Sequence, residues 1–264
     1  MLSIRHTGRP LCYRWAAARV TGASHQASGE RSQDALTLRT GYCLNHHFVV
    51  AALADGAGSA QFAEEAARFT TRKFTKVVAE EIGDWGLDGI SDLMLDAAYG
   101  VHRSLRRSAD HRGVHADEFA TTLLAAVLTP ELSAFLQIGD GGVATGPRWR
   151  MVFRPHRGRY HNEVSFLTDD DAPDRFQQTV HEGCPEFVAL FTDGMEDLLV
   201  EPSSLAVHPP LLDYVASNLA GSARPGLNHE LSAQLTNFFA SGEVRSRTSD
   251  DTTLLAIHAE RATP

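Results

Sequence analysis

The stretch HFVVAALADG, residues 47–56, decides the fold. From His47 to Ala54 it is almost wholly apolar, and it stops at a carboxylate and a glycine. A short apolar run bounded by turn residues is the signature of a β-strand. The strand would hold Asp55 rigidly at its end, and Gly56 would let the backbone turn sharply. Working outward, the same arrangement recurs. Asp140 follows AFLQIG and precedes Gly141. Asp193 closes VALFT and precedes Gly194. Asp250 and Asp251 stand immediately before TTLLAI. Asp34 follows the polar loop Ser24–Gln33 and precedes ALTLR. One Asp-Gly dipeptide is usually a turn former, and Asp88-Gly89, with no strand before it, reads as one. Five carboxylate sites at strand ends are a pattern. If the strands share an edge or two facing edges, these carboxylates converge, repel one another and need cations. Ligands that are all oxygen suit Mg²⁺ or Mn²⁺. Two such ions can share a bridging carboxylate, lower the pKa of a bound water and clamp a phosphoryl group.

Other strand-like runs are Phe119–Leu128, Ser133–Ile138, Phe187–Thr192 and Thr252–His258, with weaker ones at Trp15–Thr21, Ala35–Arg39, Arg148–Arg154 and Glu163–Leu167. Helical periodicity covers Ala60–Ile82, Leu93–Ser108, Pro210–Leu219 and His229–Phe239. Strands come in groups and the long helices in pairs, without regular βα alternation. This predicts packed sheets with helices outside rather than a Rossmann fold. The reading is one domain over residues 11–260, after a disordered lead-in at 1–10.

Composition narrows the classes. The chain has 264 residues, 43% hydrophobic and 22% charged, an ordinary globular balance. No apolar run nears the roughly 18 residues of a membrane span. The first fifteen residues carry Arg5, His6, Arg9 and Arg14 without a long apolar segment, which predicts no secretory leader. A net charge of −9 argues against a nucleic-acid binder. Three cysteines, Cys12, Cys43 and Cys184, with no close pair exclude a disulfide framework and a Cys-x-x-Cys zinc site, and fit a reducing cytoplasm.

In order along the chain, SHQASGERSQDA (24–35), ALADGAGSA (52–60), EFATTLLAAVL (118–128), LQIGDGGVA (136–144), ALFTDGMEDLL (189–199) and SDDTTLLAI (249–257) resemble the metal-dependent Ser/Thr protein phosphatases of the type 2C (PPM) family, its small bacterial branch above all. The resemblance implies an α+β fold, an αββα sandwich of two antiparallel sheets flanked by helix pairs. It implies that Asp55 bridges two metals and that Gly56 binds one of them through its carbonyl. Asp193 and Asp250 would bind the second metal, and Asp34 would complete the catalytic cluster. Asp140 would help hold a weaker third ion. The implied activity is hydrolysis of phosphoserine and phosphothreonine by a metal-bridged hydroxide, with two Mg²⁺ or Mn²⁺ ions. The implied partners are a phosphorylated protein and a Ser/Thr kinase or its targets, with no nucleic acid or membrane, and the protein would be a monomer in bacterial cytoplasmic signalling.

Four positions depart from the family pattern. Gln33 stands where Glu is frequent, and Gly29 where many members place a phosphate-binding Arg. Ala57 stands where some have a His general acid, and Gly141-Gly142 follow Asp140 where Ser-Arg is common. Arg31 is the nearest cation to the vacated phosphate position in sequence. These losses leave open a phosphoprotein-binding module without turnover, and a two-metal phosphodiesterase as a third reading.

The remaining candidates have plain alternatives. His111 and His115 are four apart, but Gly113 between them favours a loop over a metal pair. His25 could approach the site or make a loop hydrogen bond. His46-His47 open a strand. Thr121 and Thr122 read as packing beside the site rather than as nucleophiles. Asn162-Glu163 could border the cleft or start an exposed strand. Asp169–Asp171 reads as a solvated loop in the region of the family's substrate-contacting flap, where it could repel acidic substrates. Phe191, Met195 and Leu199 read as core.

Overall fold

A computed structural model describes residues 11–153, 164–201 and 203–261. The expected lead-in at 1–10, the pair Asn162-Glu163 and Arg154 lie outside the described residues. The strands are β1 (Leu11–Val20), β2 (Asp34–Cys43), β3 (His46–Asp55), β4 (Leu123–Leu128), β5 (Leu132–Ile138), β6 (Gly142–Gly146), β7 (Arg150–Met151), β8 (Gln177–Glu182), β9 (Phe187–Phe191), β10 (Gly226–Leu227) and β11 (Thr252–Arg261). The helices are α1 (Ala23–Ser28), α2 (Ala63–Trp85), α3 (Ile90–Arg112), α4 (Ala172–Arg175), α5 (Glu196–Leu199), α6 (Pro209–Ala220), α7 (His229–Phe239) and α8 (Gly242–Arg245).

β3 explains the layering. Its even residues Phe48, Val50 and Ala52 pack with Phe74, Val78 and Leu93 of the helix pair α2 and α3. Its odd residues Val49, Ala51 and Leu53 pack with Leu190, Leu255 and Ile257 of the opposing sheet. Successive side chains of a strand point to opposite faces, so a strand covered on both sides is apolar throughout. Behind the opposing sheet, Leu212, Val215 and Leu219 of α6 and Leu231 and Phe239 of α7 bury against Ala16, Leu254 and Ala256. The order is helices, five-stranded sheet, six-stranded sheet, helices, the αββα sandwich that the family resemblance implies. The sheets run β2-β3-β4-β5-β8 and β10-β1-β11-β9-β6-β7. All pairings are antiparallel except the short parallel contact of β1 with β10.

Several boundaries differ from the sequence reading. Residues 119–122 are not strand; a 3-10 turn at Ala116–Phe119 precedes β4. Arg148–Arg154 shrinks to Arg150–Met151, and no strand lies at 164–167. Strands β6, β8 and the two-residue β10 were not anticipated. β6 is glycine-bounded, and β8, QQTVHE, is a sheet-edge strand without a continuous apolar face.

Candidate active site

Strand pairing assembles the first half of the site. Asp34 and Asp55 are register partners at the adjoining ends of β2 and β3. From the facing sheet, Asp193 follows β9 and Asp250 precedes β11, and these two strands are neighbours. Asp140 lies in the turn between β5 and β6, where Gly141 takes φ +78°, a left-handed conformation that favours glycine.

The two sheets meet at Asp34, which is fully buried. Its Oδ2 accepts hydrogen bonds from Thr192 Oγ1 at 2.9 Å and Thr253 Oγ1 at 2.6 Å. Its Oδ1 has no hydrogen-bond partner among the described residues, and neither has the buried Oδ1 of Asp193. Asp55 is fixed through its backbone. Its N–H donates to Thr122 Oγ1 at 2.9 Å, and its carbonyl accepts from Thr122 N at 2.8 Å and Thr121 Oγ1 at 2.9 Å. The Thr-Thr step is therefore scaffold beside the cluster, as its sequence suggested. Gly56 is buried, and its N–H donates to Gln33 O at 3.2 Å.

The electrostatics record the convergence. Burial pushes the Asp34 carboxyl up to about 7; the Thr253 hydroxyl opposes this, while Asp251 and Asp193 add to it. Burial also lifts Asp55 well above the usual carboxylate range, with further contributions from the charges of Asp34 and Asp193 and a hydrogen bond to Asp193. Asp140 rises to about 7 through burial and the Asp193 charge. Asp250 is raised for the same two reasons. The Asp193 charge thus acts on all four of the others. Carboxyls raised in this way are held as acids unless a cation compensates them. Two buried carboxylate oxygens without partners and a donor set of oxygens alone fit hard divalent ions.

Asp251 stands beside Asp250 in the sequence but is given no role of its own there. It is buried, and it accepts from Gly22 N at 2.7 Å through Oδ1 and from Gln33 N at 2.6 Å through Oδ2. It therefore staples both ends of the segment that leads into Asp34. Its Oδ1 also lies 3.1 Å from His25 Nδ1. His25, Asp250 and Asp251 bring possible ligand atoms within 4.8 Å of one another. His25 lies in α1 rather than in a loop, and its contact with Asp251 places it at the rim of the cluster. Strand alternation was the available signal, because adjacent residues at a strand entrance face opposite ways.

The other candidates fall outside the cluster. His111 ends in α3, whereas His115 lies beyond Gly113, where the chain leaves the helix at φ +67°, and His115 pairs with exposed Asp117 at 2.9 Å. His46 opens β3 with Nε2 2.6 Å from Glu131. The acidic triplet lies in a loop, but its acids are engaged. Asp169 accepts from Phe166 N at 2.9 Å, and Asp170 and Asp171 pair with Arg106 and Arg175, each at 2.6 Å. Asp88-Gly89 is the turn between α2 and α3. Phe191, Met195 and Leu199 are core.

Known proteins agree with this architecture. A family model described as Protein phosphatase 2C matches residues 21–238. Serine/threonine-protein phosphatase 3 of Escherichia coli (strain K12) is 28% identical over 256 residues, which cover 95% of this chain and 100% of that protein. The solved S. agalactiae serine/threonine phosphatase superposes with a TM-score of 0.66 at 16% identity, covering 94% of this chain and 100% of its own. The catalytic domain of the serine threonine protein phosphatase PstP, solved with 2 manganese ions, gives 0.59 at 15% identity, covering 94% and 99%. The chain belongs to the protein phosphatase 2C family, whose members are metal-dependent protein-serine/threonine phosphatases.

Proposed function

We propose that Asp34, Asp55, Asp193 and Asp250 are the catalytic carboxylates of this phosphatase and hold two divalent ions, Mg²⁺ or Mn²⁺. In this reading Asp55 and the Gly56 carbonyl would help hold the two ions, and Asp140 would help hold a weaker third. The observation that carries the reading is the set of mutually raised carboxyls gathered around Asp193, with partnerless oxygens on Asp34 and Asp193. When bound, such ions supply an activated water and neutralise charge on the phosphoryl oxygens. The chain's own residues prepare the place. Thr192 and Thr253 occupy one oxygen of Asp34 and leave the other available. Thr121 and Thr122 fix the Asp55 backbone, and Asp251 holds the loop between Gly22 and Gln33. Ala57 has no proton to give, so this chain does not supply a leaving-group acid from that position. The substrate class is phosphoserine and phosphothreonine in proteins, with a Ser/Thr kinase or its targets as partners. We place the protein in bacterial cytoplasmic signalling, as a monomer; three free cysteines fit a reducing compartment.

The test compares the parent enzyme with Asp193→Asn on a phosphothreonine peptide in Mn²⁺. Removing the central carboxylate should lower kcat by more than about 100-fold, the upper range for merely supporting metal-site partners. Calorimetry should show a weakened Mn²⁺ isotherm for the variant. A parent protein as inactive as the variant over a broad phosphopeptide panel would overturn the reading.

A further inference from the structure

A groove of about 1300 Å³ runs along β2, on the open flank of the sandwich. Leu36 and Leu38 of β2 line it together with Trp15 and Leu255 of the opposite sheet. Its wall is α2, which presents Arg68, Arg72 and Lys76. Residues four apart on a helix are neighbours on one face, so these cations form a stripe. An adjoining recess shares Arg31, Arg68 and Arg72 and continues to Arg19 and Ser32. Arg19 donates from NH1 to the Asp34 carbonyl at 2.8 Å. The groove therefore leads to the strand end that carries the carboxylate cluster.

Groove and recess together hold seven Lys or Arg against four Glu, in a chain of net charge −9. Some of these charges are engaged. Glu64 pairs with Arg68 at 3.1 Å, Glu65 turns to Arg112 at 2.6 Å, and the Lys73 ammonium turns to Gly100 and Ser104. The guanidinium groups of Arg31 and Arg72 have no hydrogen bond or ion pair among the described residues. Among the described residues β2 is a terminal strand with β3 as its single sheet neighbour, so its outer edge is a template for an added strand.

We propose that this groove docks an acidic segment of the phosphoprotein substrate along β2 and so delivers the phosphorylated residue to the cluster at Asp34. The proposal rests on the phosphatase reading above. Carboxylates complement unpaired guanidinium groups, with which they form charge-assisted bonds. The open strand edge offers backbone hydrogen bonds that an extended polypeptide can complete, and the apolar floor takes alternate side chains. A nucleic acid has no peptide N–H and C=O groups with which to complete a strand edge. Residues 1–10 carry Arg5 and Arg9, of the same sign as the groove. Arg39, which also lines the groove, is five positions along β2 from Asp34, roughly 17 Å along a strand, so the acidic run should begin within about five residues of the phosphosite.

Two phosphothreonine peptides, alike except for a flank of six Glu or six Gln, test the proposal in Mn²⁺. The parent enzyme should show a KM about tenfold lower for the Glu peptide, the sum of a few exposed charge pairs, with kcat unchanged. In Arg72→Glu/Lys76→Glu, on the exposed face of α2, the preference should vanish while turnover of p-nitrophenyl phosphate is kept. Equal KM values in the parent, or a preference that survives in the double variant, overturns the docking site. Anisotropy with a fluorescein-labelled, unphosphorylated Glu-rich peptide tests the groove independently of turnover. Peptide binding without any hydrolysis would sink the phosphatase reading and keep the groove; hydrolysis without peptide binding would do the reverse. Competition by a single-stranded oligonucleotide of equal charge, as strong as that by the peptide, would overturn the assignment to polypeptide.

Discussion

Asp250 and Asp251 are adjacent and chemically identical, yet the fold gives them different work. Both charges act on the cluster, but Asp251 also has both oxygens on backbone N–H groups of another segment. Close packing enforces the difference. A Cβ at Gly194 would collide with the Asp251 carbonyl oxygen, so the residue after Asp193 must be glycine for the two motifs to touch. Replacing Asp251 by Ala leaves two buried donors unsatisfied, at about 1–3 kcal/mol each. We therefore expect Asp251→Ala to lose about 2–5 kcal/mol in urea denaturation. Asp251→Asn keeps one acceptor oxygen and should recover part of the loss. Equal stability of the Ala variant and the parent would show that the loop is held by other contacts. The residue types of the cluster were legible in the sequence. The division of labour within the Asp-Asp pair was not, because it depends on which way each side chain leaves the strand entrance.

At the scale of elements, β3 carries the sandwich. Leu53 is fully buried between the sheets, two residues from Asp55. Leu53→Ala should cost about 2–5 kcal/mol, the transfer free energy of the lost atoms plus that of the cavity. The denaturation midpoint should fall with an unchanged m-value, because the surface exposed on unfolding is nearly the same. A loss under 1 kcal/mol would mean that the sheets close over the gap. Strong apolar runs such as β3, β9 and β11 were readable because both of their faces are covered. β8 escaped notice because an edge strand half open to water need not be apolar. The run Phe119–Leu128 was overextended because buried Thr121 and Thr122 look like strand, although their hydroxyls and N–H groups serve Asp55.

At the scale of the molecule, the carboxylate cluster opposes folding until cations neutralise it. Asp34 and Asp140 are raised from 3.8 to about 7 in the folded state. Between those values the folded chain binds more protons than the unfolded chain, so the stability of the metal-free protein falls as pH rises from about 4 to about 7. Ions that bind only the folded state add stability by mass action. EDTA should therefore lower Tm clearly at pH 8, and much less at pH 5.5, where the acids carry protons of their own. Activity should be lost in EDTA and restored by Mn²⁺. A Tm indifferent to EDTA at pH 8 would contradict the clustered, compensated site. By itself, the sequence determined the strand-end carboxylates, the core-forming runs, the paired helices and the family, because burial periodicity and motif order are local properties of the chain. The tertiary structure alone decided that Asp34 faces Asp55 and that Thr192 and Thr253, 158 and 219 residues away in sequence, occupy one oxygen of Asp34. It also decided that a basic groove leads to that point. Those relations arise where two sheets meet through space, and no local pattern of residues encodes which distant strand end will lie opposite.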